Sequence, residues 1–149
     1  MTLSERITDD MKAAMKKGEK LKLETLRTVR AQFIEFSKRG ADKPITADDE
    51  LAILLGAIKK RKEAIDLYQQ AGRKELVDQE GREMEILQTY LPKQMSREEA
   101  EGLIQGVIRE VGATTPQDFG RVMGRVMKEL KGKLDGVIVT ELVRKNLGA

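Results

Sequence analysis

GRVMGRVMKELKGKLDG, residues 120–136, sets four glycines (Gly120, Gly124, Gly132, Gly136) among five bases (Arg121, Arg125, Lys128, Lys131, Lys133). The chemistry that such a mixture offers is polyanion recognition. Guanidinium and ammonium groups neutralise phosphates, and bare backbone lets a sugar-phosphate chain come close. A glycine inside a helix costs about 1 kcal/mol relative to alanine, so Gly124 needs a compensating role. On a helical projection, Phe119, Val122, Met123, Val126, Met127 and Leu130 fill one broad apolar arc. Arg121, Arg125 and Lys128 form a ridge opposite, with Gly120 and Gly124 at the seam between ridge and arc. Two roles fit that seam: a groove crossed closely by another helix, or an open strip where a phosphate backbone lies beside the ridge. Lys131 and Lys133 then lead to the start of a last helix, whose N–H groups can receive a phosphate, although Asp135 at that cap competes for the same donors.

A second constellation places charges where apolar residues belong. Leu23, Leu26, Phe33 and Ile34 share one helix face with Arg30 in its middle. Leu51, Leu54, Leu55, Ile58 and Ile65 form another stripe flanked by Arg61 and Lys62, and Leu76, Leu87 and Tyr90 share a face with Glu80 and Glu83. Bases on two helices are expected to meet acids on a third in a structural ion-pair network of Arg30, Arg61, Lys62, Glu80 and Glu83. The chemical alternative for Glu80 and Glu83 is paired-carboxylate acid and base work or an all-oxygen site for a hard metal. Helical di-metal carboxylate sites normally add a histidine three residues after a glutamate, and the chain has no histidine. The expectation is no metal and no cofactor. KKRKE, residues 59–63, reads as a solvated face with partly covered stems.

Composition narrows the rest. The absence of cysteine removes disulfides and thiolate chemistry, and the absence of histidine removes every triad built on imidazole. With 40% hydrophobic and 36% charged residues over 149 positions, the chain is globular and holds one domain or two small subdomains. The net charge of +3 is modest, and the block 120–136, with five bases against Glu129 and Asp135, carries that whole excess. Aromatics are 3% and tryptophan is absent, so stacking on unpaired bases has few platforms, and any nucleic-acid binding is expected to read shape and backbone with strong salt dependence. No run approaches the roughly 18 apolar residues of a membrane span. MTLSERITDDMKAAMKK at the start is amphipathic with early acids, unlike a signal or transit peptide. A cytoplasmic location, away from membranes, is the expectation.

The elements that must position these residues are helices throughout. Apolar spacings of three and four recur along nearly the whole chain, and no strand-like alternation persists. The reading is all-α. Ser4 caps a helix over 4–17 that places Ile7, Met11 and Met15 on one face and stops at Gly18; a second helix covers 20–39 and ends at Gly40. After the loop ADKPI, Thr46 caps a third helix over 47–71, closed by Gly72, and a fourth spans 73–90 before Pro92. LPKQMS, 91–96, is the expected hinge. Ser96 with Glu99 makes a capping box for a fifth helix ending near Gly112; Thr115 and Pro116 open a sixth to about Lys131; Asp135 and Gly136 start a last one to about Leu147. The expected architecture is a four-helix N-terminal subdomain, 1–92, and a three-helix C-terminal subdomain, 93–149.

LRTVRAQF (26–33), GRKELVDQEGREMEILQTYLPKQMSREEA (72–100) and DFGRVMGRVMKELKGKLDG (118–136) together resemble the GatB/YqeY family, in particular its free-standing YqeY-like members. The resemblance covers essentially the whole chain, and the run 90–96 and the glycine-basic block are its most specific parts. It implies a helical protein of two subdomains, the C-terminal one similar to the tail of the B subunit of the tRNA-dependent amidotransferase, which helps to hold tRNA. Family naming attaches carbon–nitrogen ligase activity with glutamine as amido donor. That chemistry needs a carboxylate-activating cradle domain and a separate amidase, and no catalytic machinery of either kind is visible in these residues. The family's block falls on Gly120, Arg121, Gly124, Arg125, Lys128, Lys131, Gly132, Lys133, Asp135 and Gly136, while Leu134 replaces an alanine often found before the aspartate-glycine pair.

The expected function is a non-catalytic tRNA-binding or tRNA-amidotransferase-related accessory protein of translation. Its RNA contacts would be Gly120, Arg121, Gly124, Arg125, Lys128, Lys131, Gly132, Lys133 and Gly136. Its expected partners are tRNA or another structured RNA, and a protein of the translation machinery. The alternative is a helical adaptor that receives a partner helix in the Gly120/Gly124 groove.

Overall fold

The computed structural model describes residues 1–40 and 42–148 and is all-α. Among the described residues, seven helices run α1 (Leu3–Lys17), α2 (Lys20–Arg39), α3 (Ala47–Gln70), α4 (Lys74–Gln88), α5 (Arg97–Val111), α6 (Phe119–Leu130) and α7 (Gly136–Asn146), with a 3₁₀ turn at Pro116–Asp118 before α6. Ala41, the first residue of the expected ADKPI loop, and Ala149, the last of the expected C-terminal subdomain, lie outside the described residues. Contacts divide the chain into two compact units, Met1–Leu91 and Pro92–Ala149.

In the first unit, α1 and α2 form a hairpin, α3 and α4 pack extensively on each other, and α2 touches both. Ile7, Leu26, Leu54 and Leu87, one from each helix, are fully buried at its centre. Burial of each such side chain stabilises the unit by about 1.5–3 kcal/mol. The buried face of α2 is Thr25, Leu26, Val29 and Phe33, rotated away from the expected stripe, and Ile34 is 40% exposed. The reason is the number of neighbours: α2 is covered by α1, α3 and α4 together, so its core face turns toward Val29. Arg30 therefore stands at the flank of the stripe, half-buried, rather than in its middle. The Thr25 hydroxyl within this face donates to Leu21 O at 2.8 Å, which satisfies it.

The cap of α1 also differs from expectation. Thr2, not Ser4, is the N-cap, its Oγ1 accepting from Glu5 N–H at 3.1 Å while Glu5 returns a bond to Thr2 N–H at 2.9 Å. Ser4 N–H donates instead to Glu50 Oε2 at 2.8 Å. Glu50 is 4% exposed on α3, so a buried carboxylate is held against the positive end of α1.

The second unit buries Ala100, Ile104 and Val107 of α5, Val122, Val126 and Leu130 of α6, and Val139, Leu142 and Val143 of α7. Ser96 caps α5 through Glu99 N–H at 3.1 Å. The expected start of α6 at Thr115 and Pro116 is a 3₁₀ turn that runs directly into α6 at Phe119, and Asp118 Oδ2 holds its entry by accepting from Thr114 N–H (3.0 Å) and Thr115 N–H (3.2 Å).

Candidate nucleic-acid interface

The side chains of α6 divide as their 3.6-residue period requires. Val122, Val126 and Leu130 are buried, with Phe119, Met123 and Met127 partly covered beside them. Arg121, Arg125 and Lys128 stand exposed on the opposite face. Gly120 and Gly124 are exposed between the two, and a Cβ built at either would meet no neighbouring atom within 4 Å. The crossing helix that one role of the seam required is therefore missing from the described chain. A strip of bare backbone lies open to solvent beside the bases.

The ridge is partly engaged with acids. Arg121 Nη2 reaches Asp118 Oδ1 at 3.2 Å, and Arg125 Nη2 reaches Glu110 Oε2, on α5, at the same distance. Both arginines are half exposed, and exposed pairs of this kind contribute roughly 0–1 kcal/mol, so a backbone phosphate, which offers two non-bridging oxygens sharing one charge, can displace the acids. Among the described residues, Lys128, Lys131 and Lys133 make no ion pair. The Asp118 carboxyl is held below its ordinary value by the Thr114 and Thr115 N–H groups and then by Arg121, so its charge persists beside the ridge into mildly acidic solution.

Past α6 the chain turns sharply. Gly132 adopts φ +79°, a left-handed conformation that favours glycine, and it is buried. Its carbonyl accepts from Gln94 Nε2 at 2.7 Å, and Lys133 O accepts from Met95 N–H at 2.9 Å. These two bonds strap residues 94–95 across the turn and fix the backbone from which Lys131 and Lys133, both half-buried, extend. Gln94 thus positions the basic turn. Sequence reasoning placed it only in a hinge, because nothing in its neighbours points to a carbonyl 38 residues away. Asp135 caps α7 by accepting from Val137 N–H at 2.8 Å, so the carboxylate holds a donor that a phosphate at this terminus would need, while Gly136 stays exposed.

The five residues of the charge constellation lie in the first unit. Arg61 and Glu83 come together, Nε to Oε2 at 3.7 Å, with side chains only 12% and 16% exposed. Arg61 Nη1 also donates to Ala57 O at 3.0 Å, whereas its buried Nε has no hydrogen-bond partner. Arg30 Nε donates to Thr8 Oγ1 at 3.3 Å, tying α2 to α1. Lys62 is exposed, and Glu80 is half-buried near Glu83. Burial first, and then the Glu80 carboxylate, push the Glu83 carboxyl above its ordinary value, against the pull of Arg61; a hydrogen bond with Glu80 and the charge of Glu24 add to the rise. Among the described residues, no three acids converge in a way that could cage a metal ion.

Comparison with known proteins settles the family. The model of the Yqey-like proteins matches residues 4–147. The chain belongs to the Yqey-like family. One curated relative, altered inheritance of mitochondria protein 41, mitochondrial, from Pyrenophora tritici-repentis, is 31% identical over 149 residues, which cover 97% of this chain and 80% of that protein. A subunit of the glutamyl-tRNA(Gln) amidotransferase of Methanocaldococcus jannaschii is 40% identical over 67 residues, 42% of this chain but 11% of that protein. An uncharacterised protein of Schizosaccharomyces pombe is 34% identical over 84 residues, 56% of this chain and 67% of that one. This Yqey-like chain is thus related both to a protein named as mitochondrial and to a short part of an amidotransferase subunit. Among its described residues, no helix is long and apolar enough to cross a membrane.

Proposed function

We propose that the chain is a non-catalytic accessory protein of the tRNA-amidotransferase system that binds tRNA through the exposed face of α6 and the turn after it, in the cytoplasm. The observation that carries this reading is the open backbone at Gly120 and Gly124 beside Arg121, Arg125 and Lys128. A phosphate chain can approach the helix there more closely than any side chain would allow, and the ridge neutralises it. Lys131 and Lys133, on the strapped turn around Gly132, extend the same basic track toward Gly136. The likeness to a subunit named for glutamyl-tRNA supports tRNA as the RNA, with a protein of that system as a second partner.

The test is direct titration of the full chain with a fluorescently labelled tRNA transcript. If three to five phosphates are neutralised, affinity should fall by roughly forty- to five-hundredfold between about 50 and 200 mM salt. Arg125→Glu should weaken binding at every salt concentration. Binding indifferent to both changes refutes the reading. The same open seam also fits a helix of a partner protein, and that adaptor reading makes the opposite forecast: Gly124→Leu abolishes protein capture and Arg125→Glu does little.

A further inference from the structure

The net charge of the chain conceals a second basic surface. Residues 12–22, KAAMKKGEKLK, carry five lysines (Lys12, Lys16, Lys17, Lys20, Lys22) against one acid, Glu19, a local charge of +4. The structure collects them at the tip of the hairpin between α1 and α2. Lys12, Lys16, Lys17 and Lys20 are exposed and Lys22 is half-buried. Among the described residues none of the five makes an ion pair or a side-chain hydrogen bond. Four arginines of this unit are engaged: Arg39 pairs with Glu35, Arg73 with Glu75 and Arg61 with Glu83, while Arg6 lies over the Tyr90 ring at 4.6 Å.

Local structure explains only half of the cluster. Lys16 and Lys17 occupy the last turn of α1, where the helix dipole favours cations. Lys20 and Lys22 occupy the first turn of α2, where the dipole opposes them. That turn contains no acid, and Glu19 at the N-cap makes no side-chain capping bond. Lysines four apart, Lys12 and Lys16, also repel along α1. Among the described residues no ion pair offsets these costs, whereas a bound polyanion would.

We infer that the α1–α2 tip is a second phosphate-binding surface, which takes the backbone of the same structured RNA as α6; this rests on the proposed function. The tip is preorganised for the purpose. Gly18 at φ +74° lets two residues join the helices, and Gly18 N–H to Met15 O (3.3 Å) and Glu19 N–H to Ala14 O (3.0 Å) close the turn. Little ordering is left for binding to cost. An anionic membrane is the poorer match, because surface-lying helices need an apolar stripe, and Met15, 58% exposed, is the one large exposed hydrophobe at the tip among the described residues. The tip has no aromatic to stack on a base, which suits a double-helical segment read through its phosphates.

The experiment compares three full-length variants with the parent by titration with a tRNA transcript: Lys16→Gln/Lys17→Gln/Lys20→Gln, the corresponding triple arginine variant, and Arg125→Glu/Lys128→Glu. The glutamine variant should lower the slope of log affinity against log salt by about two to three, at about 0.9 per phosphate contact, and weaken binding at least ~tenfold near 100 mM salt. The arginine variant should keep parental affinity, and circular dichroism of both should match the parent. Parental binding by the glutamine variant with weak binding by the α6 variant overturns the second surface and leaves the proposed function standing. Parental binding by both overturns both. Loss of binding in the arginine variant, or retention by phosphatidylcholine–phosphatidylserine vesicles that only the glutamine variant loses while tRNA binding is unchanged, also overturns this inference.

Discussion

Two glycines of the same block should respond to alanine with opposite signs. Gly124 is the sixth residue of α6, exposed, with φ in the ordinary helical range and open space where a Cβ would go. Gly124→Ala therefore keeps every contact and removes only the excess backbone freedom of the unfolded chain, which should stabilise the second unit by about 0.5–1 kcal/mol. Gly132 sits at φ +79°. Gly132→Ala forces an L-residue into the left-handed region and should destabilise the unit by about 1–2 kcal/mol, because the bonds from Gln94 and Met95 leave the turn no easy retreat. Neither tyrosine lies in this unit, so hydrogen exchange of the α6 and α7 amides is the suitable readout. Protection limited by unfolding of the unit should rise roughly two- to fivefold for Gly124→Ala and fall by roughly five- to thirtyfold for Gly132→Ala. A destabilised Gly124→Ala would mean that the seam is covered and would refute the open-backbone argument. A stabilised Gly124→Ala with tRNA affinity unchanged, joined by Gly124→Leu with affinity also unchanged, would sever the glycine from RNA binding and leave only the ridge.

Three further outcomes follow from the geometry. Glu110→Gln releases Arg125 from its surface pair and removes a repelling charge, so tRNA affinity should rise by roughly two- to fivefold, the equivalent of an exposed ion pair, in the same titration. Gln94→Ala removes the bond to Gly132 O and should cost about 1 kcal/mol in the hydrogen-exchange assay, with a matching loss of tRNA affinity as Lys131 and Lys133 lose their fixed backbone. Glu83 carries a raised folded-state pKa, so its contribution favours folding fully below the ordinary carboxylate value near 4.5 and is lost as pH rises through the folded value. Urea unfolding followed by tyrosine fluorescence of the first unit should accordingly show stability falling over the pH units just above 4.5, and Glu83→Gln should flatten that fall; an unchanged profile would place the titration elsewhere.

Legibility tracked how local each signal was. All seven helices were readable because glycine stops, polar caps and 3.6-residue periods are written within a few residues of the structure they cause, as at Gly18, Thr46, Ser96 and Gly112. The division of α6 into core face, ridge and seam was equally local, and Val122, Val126 and Leu130 are buried as the projection required. The choice of buried face on α2 was not, since three neighbouring helices decide it, and the expected stripe missed Val29 and included Ile34.

The helical class, the number and approximate extent of the helices and the inventory of bases and glycines are written in local sequence, because helix propensity, capping and periodicity act over a few residues; the α1 cap and the start of α6 are not. Folding, by contrast, leaves Gly120 and Gly124 facing open space, leans Arg125 on Glu110, brings Gln94 to Gly132 and sets Glu50 against the start of α1. Each of these depends on which distant segment arrives beside a residue. Side-chain packing sets that arrival, and packing is a property of the assembled chain that no single stretch encodes.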